Sequence, residues 1–279
     1  MAEPIAPRIS VAPDRAFSFR RIYALMMRYI YVLRGSWPRL LELMYWPVMQ
    51  MILWGFMTIF LAGNSSYVAQ AAGVLIAAVL LWDVLFRGEL GVAICFLEEI
   101  WSRNLGHIFV SPLRPYEFLI TLIVMSLIRT LIGIVPAAFL AQILYDYSVF
   151  DMGFALLAFF LNLIVMGWAM GLVVCGILFR WGLGAESLAW LAIFALAPVC
   201  GIYYPISVLP EFLQHVAAAI PASHVFEGMR SVLVDKVFRV DLLINAVLLN
   251  LVYLGAGAAA FMLFFRTARR RGLILQIGE

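Results

Sequence analysis

Apolar residues along this chain gather into long runs separated by short polar breaks, and run length decides the elements. Crossing a hydrocarbon core takes about 20 apolar residues in a helix. Six stretches qualify: about 40–62, with Pro47 inside; about 67–97, carrying Asp83, Arg87 and Glu89; 118–144, with Arg129 and Pro136; 152–179, polar only at Asn162; about 187–202; and 242–265, small-residue-rich at Gly255, Ala256, Gly257 and Ala258. Ahead of them the period changes. Ile22, Leu25, Met26, Tyr29, Ile30 and Leu33 share one helical face, while Arg20, Arg21 and Arg28 lie off it. This pattern predicts an amphipathic helix over 14–37 lying in the interface plane, its apolar side in the acyl boundary and its arginines toward headgroups. Residues 1–13, with Pro4, Pro7 and Pro13, read as a disordered cytoplasmic tail without the apolar core of a cleaved leader. The expected fold is an all-α polytopic membrane protein, its six-span domain covering 38–279.

Two connections exceed what a loop needs. Residues 98–116 read EEIWSRNLGHIFVSPLRPY, and residues 203–241 hold Pro205, Pro210 and Pro221 around two short apolar pieces, roughly 211–219 and 224–234. Neither piece can span, and short proline-broken helices between true spans predict an external re-entrant helical hairpin.

Composition agrees with lipid as the main solvent. Sixty-five per cent of the 279 residues are hydrophobic and 13% are charged, against about 25% charged in a soluble domain. The net charge of +3 matters less than where it sits. Seven arginines precede the first apolar run, and Arg266, Arg269, Arg270 and Arg271 close the last. Residues 63–66 and 145–151 carry no Lys or Arg, whereas the loops with Arg103, Arg114 and Arg180 are basic. Basic flanks mark the cytoplasmic side, so both termini are expected inside and the number of crossings even. The basic clusters abut apolar spans rather than build a basic domain, so no nucleic-acid partner is expected. Cys95, Cys175 and Cys200 all lie in apolar segments, which reads as core packing rather than disulfides or a metal site.

The chemistry is conspicuous by what it lacks. A phosphate-binding loop needs a lysine after glycine and before Ser or Thr, and the one lysine, Lys236, precedes Val237. His107, His215 and His224 all fall in connections, no HExxH occurs, and GAES at 184–187 does not supply an intramembrane serine-protease site. The expectation is a transport subunit, not an enzyme, with no metal and no cofactor of its own. The intramembrane charges Asp83, Arg87, Glu89 and Arg129 remain. They read either as a polar lining or gate, or as structural pairs, Asp83 with Arg87 and Glu89 with Arg129, that fix helix register. A transporter or channel working without an ATPase stays as the alternative; its signature is charge pairs and broken helices in both halves.

The order of parts resembles the membrane subunits of type-2 ABC exporters. The resemblance rests on the Arg-rich N-terminal helix, six spans, the inner segment GHIFVSPLRPYEF, and YPISVLPEFLQHVAAAIPASHVFEGMR at 204–230. In the last, Tyr204, Pro205, Ile206, Leu209, Pro210, Ile220, Pro221, Ser223, His224 and Arg230 stand at the family's motif positions, with Ile220 where Leu is usual. In style it is similar to nodulation-factor and antibiotic exporter subunits. The resemblance implies a bacterial inner-membrane half-transporter: a second permease copy, a homodimer, completes the path, and two nucleotide-binding ATPase subunits carry ATP and Mg. It also implies that Arg103, Asn104, Leu105, Gly106, His107, Ile108 and Phe109 form an ATPase-coupling helix, that the hairpin lines the exit, and that the cargo is an amphipathic lipid, glycan or drug-like molecule.

Overall fold

The computed structural model describes residues 17–64 and 66–272, of which 61–72 by backbone alone. The expected tail at 1–13 lies outside the described residues. Ten α-helices follow one another and no strand occurs among the described residues: α1 (Phe19–Arg34), α2 (Trp37–Asn64), α3 (Ser66–Trp101), α4 (Leu105–Val110), α5 (Pro115–Tyr145), α6 (Phe154–Trp181), α7 (Ser187–Leu196), α8 (Glu211–Ala218), α9 (Pro221–Arg230) and α10 (Val240–Arg270).

Among the described residues, four segments are long and apolar enough to cross a bilayer: Trp37–Phe60, Pro115–Tyr145, Phe154–Ala185 and Val240–Arg270. The longest helix, α3, has 36 residues and carries the Asp83, Arg87 and Glu89 group at mid-length. Where a span over 187–202 is expected, α7 has 10 residues. At about 1.5 Å per residue that covers half the hydrocarbon core. Pro198 explains the stop, since it has no N–H to continue the ladder; the chain then turns at Gly201, whose φ of +64° suits glycine.

The core falls into two stacked layers. One gathers around Phe159, Phe226, Leu81 and Leu85, the other around Phe96, Phe118, Phe179 and Phe261. In the second layer Phe96 meets Phe179 edge-on at 4.7 Å, and Phe109 of α4 lies 4.8 Å from Phe265 and 5.5 Å from Phe118. Between helices the backbones approach closely. A Cβ on Gly167 of α6 would lie 2.7 Å from the Leu85 carbonyl oxygen, and one on Gly257 of α10 would lie 2.5 Å from that of Ala169. Small residues at these crossings let α3, α6 and α10 pack without the solvent-driven burial that soluble bundles use.

The apolar stripe of α1 differs from expectation. Ile22, Leu25, Tyr29 and Leu33 are buried against the bundle instead of resting in the acyl boundary, while Phe19, Tyr23 and Tyr31 face outward. The C-terminal end of α3 and the N-terminal end of α5 supply both apolar partners and acidic ones for that face. Trp82 is buried and Trp168 packs against both layers; Trp54 stacks on Tyr203 at 4.5 Å; Tyr45, Trp46 and Trp190 are exposed.

Candidate functional site

The segment between α3 and α5 builds a short helix held from both sides. Asn104 caps α4, and Pro112 and Pro115 close it off before α5 opens with proline at its first turn. Leu105 and Ile108 are buried, Phe109 joins the phenylalanine layer, and Arg103, His107 and Val110 are exposed; Gly106 is half-buried. Val110 is 86% exposed, an apolar tip with nothing over it.

Three carboxylates anchor this corner, Glu99 and Glu117 buried and Glu98 half-buried. Glu99, fully buried, accepts from Arg28 of α1 at 2.6 Å and from the Asn104 side-chain amide at 2.9 Å. One carboxylate thus joins α1, α3 and α4. Glu117 accepts the Arg21 guanidinium at 2.7 and 2.9 Å and the backbone N–H groups of Ser18 and Arg114 at 2.9 and 3.0 Å. Glu98 accepts from Arg129 with its two oxygens at 2.9 and 3.0 Å, and forms an ion pair with Arg39 of α2 at 3.5 Å. Burial pulls the Arg28 guanidinium down, but the Glu99 hydrogen bond and charge outweigh it and leave the group above its ordinary value. Burial first, and the Glu99 charge second, push the Tyr29 phenol well above its usual range, so it stays a neutral hydroxyl facing the Cys95 carbonyl.

Of the charges expected within the membrane, Arg87 donates to Asp83 at 3.4 Å, one helical turn back. Glu89 does not meet Arg129. Side chains tilt toward the N-terminus of their own helix, so in the antiparallel pair α3/α5 Arg129 leans toward the inner end and Glu98 leans up to receive it. Glu89 lies on the other face, where α3 presses on α6: a Cβ on Gly171 would sit 2.8 Å from the Glu89 carbonyl oxygen. Neither carboxyl oxygen of Glu89, which is fully buried, has a hydrogen-bond partner among the described residues. Arg39, Glu42, Arg87, Glu98 and Arg129 instead line one cavity of about 370 Å³, walled by Trp46 and Trp190, between α2, α3, α5 and α7.

At the opposite end of the bundle, α8 and α9 form a pair joined by two residues. α9 opens at Pro221 rather than near His224, because a proline at the first helical position already has the required φ and needs no N–H partner. Its last residues leave the α-helix as a π-type turn over 231–235. Arg230 ties the pair to the end of α7: it donates to the carbonyls of Gly201 and Ile202, the latter at 3.3 Å, and to Glu227 at 3.2 Å. Glu227 in turn accepts the Ile206 N–H at 2.7 Å. Tyr204 donates to the Pro198 carbonyl, a ring nitrogen of His224 lies 2.9 Å from that of Ala218, and Pro205, Leu209 and Pro210 make the extended approach to α8.

Glu98, Glu99 and Glu117 were missed by sequence reasoning as a cluster, as were their partners Arg21, Arg28 and Arg39. The legible signal was a pair of acids at the inner end of a span facing an arginine-studded helix. No group of three or more His, Cys, Asp or Glu suited to a metal occurs among the described residues.

No curated protein matches the chain. The family model described as ABC-2 type transporter matches residues 21–234, three-quarters of the sequence and the whole of the stretch from α1 to the hairpin. The chain therefore belongs to the ABC-2 type transporters and is the multi-pass transmembrane subunit of an ABC transporter.

Proposed function

We propose that this subunit is an exporter permease driven by a separate ATPase, which docks on α4. The observation that carries the reading is the construction of α4. Its inner face is locked into the bundle through Leu105, Ile108, Phe109 and the Asn104–Glu99–Arg28 chain, while its outer side presents Arg103, His107 and Val110. A six-residue helix held this firmly and tipped with an exposed apolar side chain fits a partner's groove better than it fits water. The sequence has no phosphate-binding loop, so ATP and Mg belong to the partner.

The wider arrangement follows from the same reading. α2, α3, α5, α6, α7 with the residues after it, and α10 make six crossings, with both termini in the cytoplasm of a bacterial cell and α1 along the inner surface. The α8/α9 pair is a re-entrant hairpin at the outer face. Two copies line the path, and the cavity of about 370 Å³ with its charged floor and tryptophan walls receives an amphipathic cargo at the inner leaflet. ATP-driven closure of the partner dimer moves α4 and, through Glu99, the helices around that cavity.

The test is ATPase stimulation in reconstituted complex. Gly106→Pro, or deletion of residues 104–110, is expected to abolish stimulated hydrolysis while the isolated ATPase keeps its basal rate. Full stimulation after the deletion sinks the docking assignment, and uphill transport by the permease alone sinks the division of labour.

A further inference from the structure

Around the inner end of α10 two adjoining depressions, of about 540 and 640 Å³, share Pro115, Met262, Phe265 and Arg269. Arg266 and Arg270 border one and Arg114 the other, and no acidic residue lines either. Arg266, Arg269 and Arg270 have no ion pair among the described residues. This contrasts with Arg21, Arg28, Arg39 and Arg129, each held by a glutamate on another element.

The placement of these cations is specific. Met262, Phe265, Arg266 and Arg269 fall at i, i+3, i+4 and i+7, one face of α10, with apolar groups above and guanidinium groups one turn below. α10 has 31 residues; at 1.5 Å per residue it is about 46 Å long against a hydrocarbon core of about 30 Å, so its last turns stand in the headgroup layer. Phosphodiester oxygens match guanidinium donors in geometry as well as charge. A soluble anion has no use for the apolar step, and an acidic protein surface has no acyl chain to lay on it.

We propose that this groove binds the headgroup of an anionic phospholipid, its phosphate on Arg266, Arg269 and Arg270 and an acyl chain along Met262. Gly106, Phe109 and Val110 line the larger depression, so the bound lipid lies against α4. The site adjoins the proposed docking helix, and it is tested as lipid retention by the permease with no ATPase present.

The experiment measures the association of spin-labelled phosphatidylglycerol and phosphatidylcholine with the purified full-length permease in nanodiscs, with no ATPase present. A surface-bound basic residue near anionic lipid contributes roughly fivefold in affinity. Wild type is therefore expected to prefer phosphatidylglycerol by at least about fivefold, the preference shrinking at high salt. Arg266→Gln/Arg269→Gln/Arg270→Gln is expected to remove it, and Arg180→Gln/Lys236→Gln to leave it intact. The three arginines are exposed, so the triple variant is expected to fold; the wild-type salt titration needs no variant at all. Equal binding of the two lipids, or undiminished preference in the triple variant, overturns the proposal. Displacement of the lipid by inorganic phosphate in excess makes this a soluble-phosphate site and overturns the lipid assignment. Loss of ATPase capture by the triple variant with lipid preference retained makes it a protein interface and does the same.

Discussion

The most direct probe of the inner corner is Glu117→Gln. In the native protein each carboxylate oxygen accepts two hydrogen bonds, from the Ser18 N–H and one Arg21 nitrogen on one side and from the Arg114 N–H and Arg21 Nε on the other. An amide retains one accepting oxygen and turns an NH₂ toward two donors, so at least two bonds are lost and Arg21 loses the Glu117 charge. Removing one partner of a buried pair costs about 3–5 kcal/mol. Arg21 keeps 15% of its side chain in contact with solvent, which places the cost near the low end. A local opening cheaper by about 3 kcal/mol raises amide exchange roughly 150-fold.

The readout is hydrogen exchange across α1 in detergent or nanodiscs. The amides of 19–24, which Glu117 holds through Arg21 and the Ser18 N–H, are expected to accelerate by about that factor. Those of 28–34 stay within about tenfold of wild type, since Arg28–Glu99 and the burial of Tyr29 and Leu33 hold them independently. Arg21→Gln is expected to give the same acceleration, and the double variant little more, because both changes break one interaction. Wild-type exchange over 19–24 in the variant would refute the assignment of Glu117 as the anchor of α1.

Two further outcomes follow. Gly257→Val forces a side chain against the Ala169 carbonyl and is expected to destabilise the α6/α10 crossing by about 1–3 kcal/mol. Gly255→Val, where a Cβ meets open space, leaves the thermal midpoint unchanged; similar losses from both contradict the packing argument. Arg230→Gln removes the donors that reach Gly201, Ile202 and Glu227 and is expected to speed exchange over 201–206 by at least about tenfold. Unaltered protection there means the hairpin is held by its apolar contacts with α6 and α10 alone.

Hydropathy located α2, α5, α6 and α10 well because lipid imposes one requirement, about 20 apolar residues, and the sequence meets it in plain view. The inner end of α3 was less legible. Its helix runs on through Glu98 and Glu99 to Trp101, where the sequence reads as the start of a loop. Those acids stay helical, Glu99 buried and Glu98 half-buried, because Arg129 and Arg28, 31 and 71 residues away, neutralise them, and no local pattern announces partners at that range. Proline misled twice: Pro221 reads as a breaker yet begins α9, and the expected span over 187–202 ran through Pro198, just before which α7 stops. The faces of α1 were visible from periodicity, but whether lipid or protein covered the apolar one depended on acids and phenylalanines far along the chain.

Glu98 and Glu99 are neighbours in sequence, so on a helix their side chains diverge by about 100°. One reaches Arg39 and Arg129 beside the cavity; the other reaches Arg28 and Asn104 on α1 and α4. A single turn of α3 therefore joins the helix exposed at the inner end to the charged wall of the cavity. Because a packed helix moves as a rigid body over so short a length, a displacement of α4 that pulls Asn104 carries Glu99, and with it Glu98, toward or away from the arginines on α2 and α5. On the proposed reading, the power stroke needs no long chain of contacts. It reaches the cargo cavity through two adjacent carboxylates.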